Sequence, residues 1–210
     1  CRAEGIKTVV ETAGYMTAQA RPEFYRYMDA ANVDLKAFTE DFYKKVTLAA
    51  LQPVLDTLVY IKHETKVWLE ITNLVIPGEN DSEEEFHQMT EWIMKNLGPF
   101  VPLHFTAFHP DFKMLDHPPT PPATLTRARS IALSQGLRYV YTGNVHDPQG
   151  ASTYCHQCGQ VLIERDWYRL GEYHLKNKNQ CARCSTVCAG HFDEKPGTWG
   201  AKRVPVRLGA

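Results

Sequence analysis

Val67-Trp68-Leu69-Glu70-Ile71-Thr72-Asn73-Leu74-Val75-Ile76-Pro77-Gly78-Glu79-Asn80-Asp81-Ser82-Glu83-Glu84-Glu85-Phe86 is the stretch that decides the fold. Val67 to Ile76 reads as a long strand, stopped by Pro77-Gly78. Asp81 or Ser82 can then cap a helix that carries Glu83, Glu84 and Glu85 in its positive first turn. Phe86, Met89, Ile93 and Leu97 give that helix one buried stripe. Strand, tight turn and capped amphipathic helix together make one βα unit.

The same grammar extends in both directions. Upstream, Leu51, Val54, Leu55, Leu58 and Ile61 stand at helical spacing, and Ala31-Asn32-Val33-Asp34-Leu35 reads as a strand ending in the charged pair Asp34 and Lys36. Arg21 to Asp29 reads as a short helix, and Lys7 to Glu11 as the first strand, its turn closed by Gly14. Downstream, Val101 to Phe108 is a further strand. A connection rich in proline (Pro118, Pro119, Pro121, Pro122) leads to a helix with Leu125, Ala128, Ile131 and Ala132, and Arg138 to Tyr141 is a last short strand. Alternation of this kind predicts helices packed on a mostly parallel sheet. Four or five such units are too few to close an eight-stranded barrel and suit half of one. The expected fold is therefore α/β, the carboxyl half of a partial TIM-like barrel over residues 1–145, followed by a small zinc-ribbon-like module and tail over 146–210. The chain begins with Cys1 rather than Met, and Ile6 to Val10 reads as a buried strand with hardly any lead-in. A fragment with sequence missing upstream is expected.

At 210 residues, with 43% hydrophobic content, the chain can bury one full core and carry a small appendage. Its net charge of −1, from 23 basic and 24 acidic residues, provides no global field toward nucleic acid or an anionic membrane. No run approaches the roughly 20 apolar residues that span a bilayer, and the start lacks the apolar core of a signal peptide, so a soluble, cytoplasmic protein is expected.

Beyond Gly143 the periodicity lapses through Gly143-Asn144, Pro148 and Gly150 into a cysteine module over about residues 153–195. Cys155-His156-Gln157-Cys158 and Cys181-Ala182-Arg183-Cys184 are paired knuckles separated by 22 residues. A two-residue gap lets both sulfurs of a knuckle face one tetrahedral ion, so Cys155, Cys158, Cys181 and Cys184 are the expected ligands of a structural zinc. Two disulfides are the competing reading, disfavoured by the intracellular expectation. Cys188 is a fifth thiol, read as a spare or replacement ligand, although its spacing from Cys181 and Cys184 also invites an iron–sulfur reading. His156, His174 and His191 could compete for the ion, but four thiolates already close its shell.

In parallel α/β proteins the chemistry lies at the carboxyl ends of the strands. Glu11-Thr12-Ala13-Gly14, Asp34-Leu35-Lys36, the Asn73 to Asp81 turn and His109-Pro110-Asp111 all fall there. Asp34 can accept hydrogen bonds from the vicinal hydroxyls of a ribose, and Lys36 can pair with a carboxylate. A plain surface ion pair is the alternative for these two, and a merely solvated ring the alternative for His109.

These segments, with Ala31 to Phe38, Leu74 to Asp81, Phe108 to Lys113 and Tyr139 to Val145, resemble the radical S-adenosylmethionine enzymes of the AmmeMemoRadiSam type, relatives of the pyruvate formate-lyase activating enzyme. The tail is similar too, with Leu162-Ile163-Glu164-Arg165 after the first knuckle. The resemblance implies a partial barrel that binds a 4Fe–4S cluster and S-adenosylmethionine and makes a 5′-deoxyadenosyl radical for hydrogen abstraction. It implies that Asp34 and Lys36 contact the ribose and polar parts of S-adenosylmethionine, that His109 lies against the same ligand, and that Glu11 and Thr12 sit beside its methionine carboxylate. A protein glycine as hydrogen donor and a flavodoxin or ferredoxin as electron donor follow from the same analogy. The family's CxxxCxxC cluster loop and glycine-rich strand have no counterpart here, so this stretch alone is expected to be inactive. Ala13 replaces a usual asparagine, Ala107 a common arginine, and Ser185 the glycine of the second knuckle. Two other functions compete. One is a zinc-ribbon adaptor for nucleic acid or protein, using Lys176, Lys178, Arg183, Lys195, Lys202, Arg203 and Arg207. The other is an aldolase using Lys36 as a Schiff-base nucleophile.

Overall fold

The computed structural model describes residues 2–197; Cys1 and the tail cations Lys202, Arg203 and Arg207 lie outside the described residues. Two compact units part between Val145 and His146.

In the first unit, β1 (Val9–Thr12) is followed by α1 (Ala20–Tyr25) and β2 (Ala30–Asp34). A short α2 (Glu40–Phe42), capped by the Thr39 hydroxyl, runs into a π-helical turn over Tyr43–Thr47 and then α3 (Gln52–Glu64). Next come β3 (Trp68–Val75), α4 (Glu83–Leu97), β4 (Leu103–Ala107), α5 (Pro122–Ser134) and β5 (Val140–Gly143). Of the two candidate caps for α4, Ser82 takes the role: its hydroxyl accepts the Glu85 backbone N–H at 3.2 Å, while Asp81 accepts from Gly78.

All five strands are parallel and lie in the order β1-β2-β3-β4-β5. Strand order that follows chain order without reversal, with right-handed crossovers, puts every connecting helix on one face and curls the sheet as a barrel wall. Burial alternates along β3: Leu69, Ile71, Asn73 and Val75 are buried, whereas Trp68, Glu70, Thr72 and Leu74 are half-buried. The buried set faces the helices, where Leu58, Ile61, Phe86, Met89, Ile93 and Phe105 join the core, and the other set lines the open concave side. The expected α/β half barrel is the observed fold.

One expectation on buried strands is overturned at the first of them. Ile6 and Val9 are 57% and 67% exposed. Ile6 precedes the strand, and Val9 shares its register with Ala30 on the concave side of β1, where no second layer covers either among the described residues.

Gly14 closes the β1 turn at φ 65°, and a Cβ there would stand 2.7 Å from Val33 Cγ1. Gly14→Ala combines a left-handed backbone with overpacking, and is expected to destabilise this unit by about 2–4 kcal/mol. Chemical denaturation would check it; a loss within experimental error would contradict the contact.

The second unit holds α6 (Pro148–Ala151) and an antiparallel sheet of β6 (Thr153–Tyr154), β7 (Val161–Asp166) and β8 (Arg169–Tyr173). The pair β9 (Leu175–Lys176) and β10 (Gln180–Cys181) completes it. Among the described residues its buried cluster is Leu162, Ile163 and Leu175 with Cys155, Cys181 and Cys188. So small an apolar core offsets little of the chain entropy lost on folding, and a metal held by the sulfurs would supply stability that the core lacks.

Candidate metal centre and ligand-binding edge

Each knuckle is a turn that ends in a left-handed residue. The Gly159 N–H donates to the Cys155 carbonyl at 2.9 Å with Gly159 at φ 72°, and the Ser185 N–H donates to the Cys181 carbonyl at 2.9 Å with Ser185 at φ 62°. β6 and β7 carry the first knuckle and β9–β10 the second, bringing the pairs face to face.

The four Sγ atoms lie within 4.8 Å of one another. Cys155 Sγ is 3.6 Å from Cys184 Sγ, and Cys158 Sγ 3.7 Å from Cys181 Sγ. Both gaps are far beyond a disulfide bond of about 2.05 Å. Sulfurs held ~2.3 Å from a common tetrahedral ion stand about 3.8 Å apart, so the donor set fits a thiophilic cation. Four sulfurs this close cannot all ionise unless a cation offsets them. The Thr186 hydroxyl and backbone N–H draw Cys184 down to about 6. At Cys158 the Gln160 N–H works in the same direction but is outweighed by burial and the three neighbouring thiols, which push it up to about 12.

Cys188 is not among the four: it is buried in the module's core, with its thiol 3.7 Å from the Thr186 carbonyl. His174 Nδ1 is 2.9 Å from the Val161 carbonyl and is no competitor for the ion. Ser185 occupies a conformation that glycine adopts at little cost. Ser185→Gly is expected to stabilise the metal-loaded second unit by about 0.5–1 kcal/mol, read as a higher thermal midpoint.

The second cluster of interest is the carboxyl edge of the parallel sheet. Lys36 Nζ pairs with Asp34 Oδ2 at 2.9 Å, their side chains 38% and 41% exposed. An ion pair this open is worth at most about 1 kcal/mol, so a ligand can part it cheaply. It also weighs against the aldolase reading, since a Schiff-base lysine needs a desolvated amine.

The Asp34–Lys36 turn is held by Asn73 and Asn80 of the Asn73 to Asp81 turn, by Glu85, and by Tyr43, which the sequence did not single out. The Lys36 carbonyl accepts from Asn80 Nδ2 at 2.7 Å and Asn73 Nδ2 at 3.1 Å. The Lys36 N–H donates to the Tyr43 hydroxyl, and the Phe38 N–H to Glu85 Oε1 at 2.6 Å. Burial pushes Tyr43 up to about 12 and raises Glu85 as well. Asn80 further accepts the Ile76 N–H at 2.6 Å, which ties the Pro77-Gly78 turn to the same point.

The remaining expected residues lie at the same sheet edge but are not all alike. Glu11 shares its register with Asn32 on the concave side, whereas Thr12 pairs with Val33 on the helix side and spends its hydroxyl on the Gly14 N–H at 3.1 Å. His109 is exposed on the loop after β4. That loop is pinned by Thr120, whose Oγ1 accepts the Phe108 N–H at 2.8 Å, and by His117, whose Nε2 lies 2.8 Å from Glu79 Oε1. Hydrogen bonds to Glu79 and Asp116 raise the His117 pKa.

Two solved structures are similar to this chain in fold. A domain of pyruvate-formate lyase-activating enzyme from Bacteroides vulgatus superposes with a TM-score of 0.60 at 15% identity, covering 69% of this chain and 85% of that one. A radical SAM methyltransferase from Sphaerobacter thermophilus gives 0.54 at 16% identity, covering 73% of this chain and 43% of that one. At these identities the likeness is one of fold.

By sequence, an uncharacterized protein of Methanocaldococcus jannaschii is 44% identical over 164 residues, 78% of this chain and 48% of the relative. The (2S)-3-sulfopropanediol dehydratase activating enzyme of Klebsiella oxytoca is 28% identical over 99 residues, 47% of this chain and 31% of that protein. The chain thus spans about half the length, or less, of the curated relatives it matches. No family model matches the sequence. Among the described residues no helix is long and apolar enough to cross a membrane.

Proposed function

We infer that these 210 residues are the carboxyl part of a radical S-adenosylmethionine enzyme of the AmmeMemoRadiSam type, working in the cytoplasm, with a structural zinc in its tail. The observation that carries this is the fold itself, a sequential parallel half barrel like that of the activating-enzyme domain, with Asp34 and Lys36 at its carboxyl edge. Outside the zinc module and its neighbour Cys188 the chain has only Cys1, so the cluster's three cysteines belong to sequence beyond this stretch. A 4Fe–4S cluster held by such cysteines would supply one electron for reductive cleavage of S-adenosylmethionine, which Asp34 and Lys36 would hold.

The chain's own residues bind and orient. Asp34 accepts from the ribose hydroxyls, Lys36 turns from Asp34 to the ligand's carboxylate, His109 closes over the ligand from the β4 loop, and Glu11 lies toward the methionine end. Thr12 acts there through the turn it holds. Asn73, Asn80 and Tyr43 keep the Asp34–Lys36 backbone in place. The hydrogen donor is a protein glycine by analogy with activating enzymes, and a flavodoxin or ferredoxin supplies the electron.

Asp34→Ala is expected to weaken S-adenosylmethionine binding several-fold, by the roughly 1.5–3 kcal/mol of a hydrogen bond to a charged group. Anaerobic titration of the cluster-containing polypeptide reads this directly. Unchanged affinity would remove Asp34 from the ribose.

A further inference from the structure

The concave face of the half barrel is unusual for a parallel barrel wall. Closed barrels fill their interior with layers of branched aliphatic side chains. Here the concave positions of β3 to β5 hold Trp68, Glu70 and Thr72, then His104 and Tyr141, all half-buried. Leu74 is the aliphatic exception on β3.

These side chains are organised around one carboxylate. Trp68 Nε1–H donates to Glu70 Oε1 at 2.9 Å, and His104 Nε2 lies 2.7 Å from Glu70 Oε2. An ionised carboxylate only accepts, so the hydrogen in this contact resides on Nε2, and in the neutral tautomer this leaves the lone pair on Nδ1. The ring is held flat against Tyr141, with centroids 5.0 Å apart and planes 24° from parallel. His104 Nδ1 has no hydrogen-bond partner among the described residues, and the side chain is 28% exposed. A carboxylate that fixes the tautomer, a stacked ring that fixes the plane and an unused acceptor on the open side are the parts of a positioned base.

Register places this base. Asp34, Thr72, His104 and Tyr141 form one row across β2 to β5. His104 is two strands from Asp34, or roughly 10 Å at ~4.8 Å per strand. A ligand on Asp34 and a second molecule on His104 would therefore be neighbours.

We propose that His104, oriented by Glu70, is a proton-accepting site for a hydroxyl-bearing organic substrate whose flat or apolar body lies against Trp68 and Tyr141. The substrate O–H donates to Nδ1. When the proton transfers, the O–H bonding pair stays on the substrate oxygen and the imidazolium remains paired with Glu70. This goes beyond the radical reading and does not depend on it for binding. If Asp34 proves not to hold S-adenosylmethionine, only the relevance of the 10 Å spacing is lost, that figure being about two strand widths.

The probe is 4-fluorophenol, followed by fluorine NMR with the full chain and no S-adenosylmethionine present. It should bind in the millimolar range, and 4-fluoroanisole, which lacks the O–H, should bind at least about five-fold more weakly. His104→Phe, which keeps a ring on Tyr141 but removes the acceptor, should bring 4-fluorophenol down to the level of the anisole. Absence of phenol binding, equal binding of the two probes, or equal binding by the variant would each overturn the proposal. Nitrogen NMR of the wild-type imidazole needs no variant: the proposal requires a protonated Nε2 and an unprotonated Nδ1 at neutral pH, and a neutral ring protonated on Nδ1 contradicts it.

Discussion

Cys181→Ser is expected to empty the metal centre and unfold the second unit. Cys181 is fully buried, its sulfur 3.7 Å from that of Cys158, and it belongs to the same buried cluster as Leu162, Ile163 and Leu175. A serine hydroxyl is a poor ligand for a thiophilic ion, and it would leave a polar atom in that core. Structural zinc contributes an apparent ~10–16 kcal/mol to folding in small modules, far more than this cluster of apolar side chains can replace. The wild-type chain should carry about one zinc and the variant almost none, with rapid proteolysis confined to residues beyond His146. A strong chelator should act on the wild type in the same direction. A variant that kept its metal and its resistance to protease would show that Cys181 is not a ligand.

Phe105→Ala should be the most damaging single change in the first unit. Phe105 is fully buried in β4, and its ring meets Phe86 of α4 edge-on, with centroids 5.4 Å apart at 72°. It therefore couples the sheet to the longest helix of the unit. Removing a buried phenylalanine ring costs about 3–5 kcal/mol, and more where the surroundings cannot collapse, as between a strand and a helix that are each hydrogen-bonded in place. Against a typical total of about 5–15 kcal/mol this is a large share. Phe105→Leu, which keeps most of the volume, should cost much less, about 1–2 kcal/mol. Denaturant midpoints at constant slope measure both, and equal losses in the two variants would contradict the expectation that retained volume at this site preserves stability.

The parts that were legible in the sequence are those encoded over short distances. Val67 to Ile76 with its Pro-Gly stop, the Ser82 cap and the Phe86 stripe are local signals, and β3 and α4 formed where they predict. The CxxC knuckles are local too, since two residues suffice to aim two sulfurs at one point. What could not be read depends on which strand lies beside which. Asn73 and Asn80 look like ordinary polar residues until β2 is placed next to β3, where their amides meet the Lys36 carbonyl. Glu70 and His104 are 34 residues apart and meet only because β3 pairs with β4. Val9 was misjudged for a related reason: its apolar side chain fits a buried strand, but β1 is an edge and its concave side is open. Thr12 differs from Glu11 only by the alternation of a strand, and that one step sends it to the helix side.

We propose that this half barrel presents S-adenosylmethionine for reductive cleavage. The direct measurement is anaerobic assay of 5′-deoxyadenosine by the polypeptide that carries these residues together with a CxxxCxxC segment, after cluster reconstitution and reduction. The account predicts 5′-deoxyadenosine and methionine in equal amounts, with the yield lowered by Asp34→Ala. A polypeptide with its cluster intact and reduced that neither binds nor cleaves S-adenosylmethionine would contradict it.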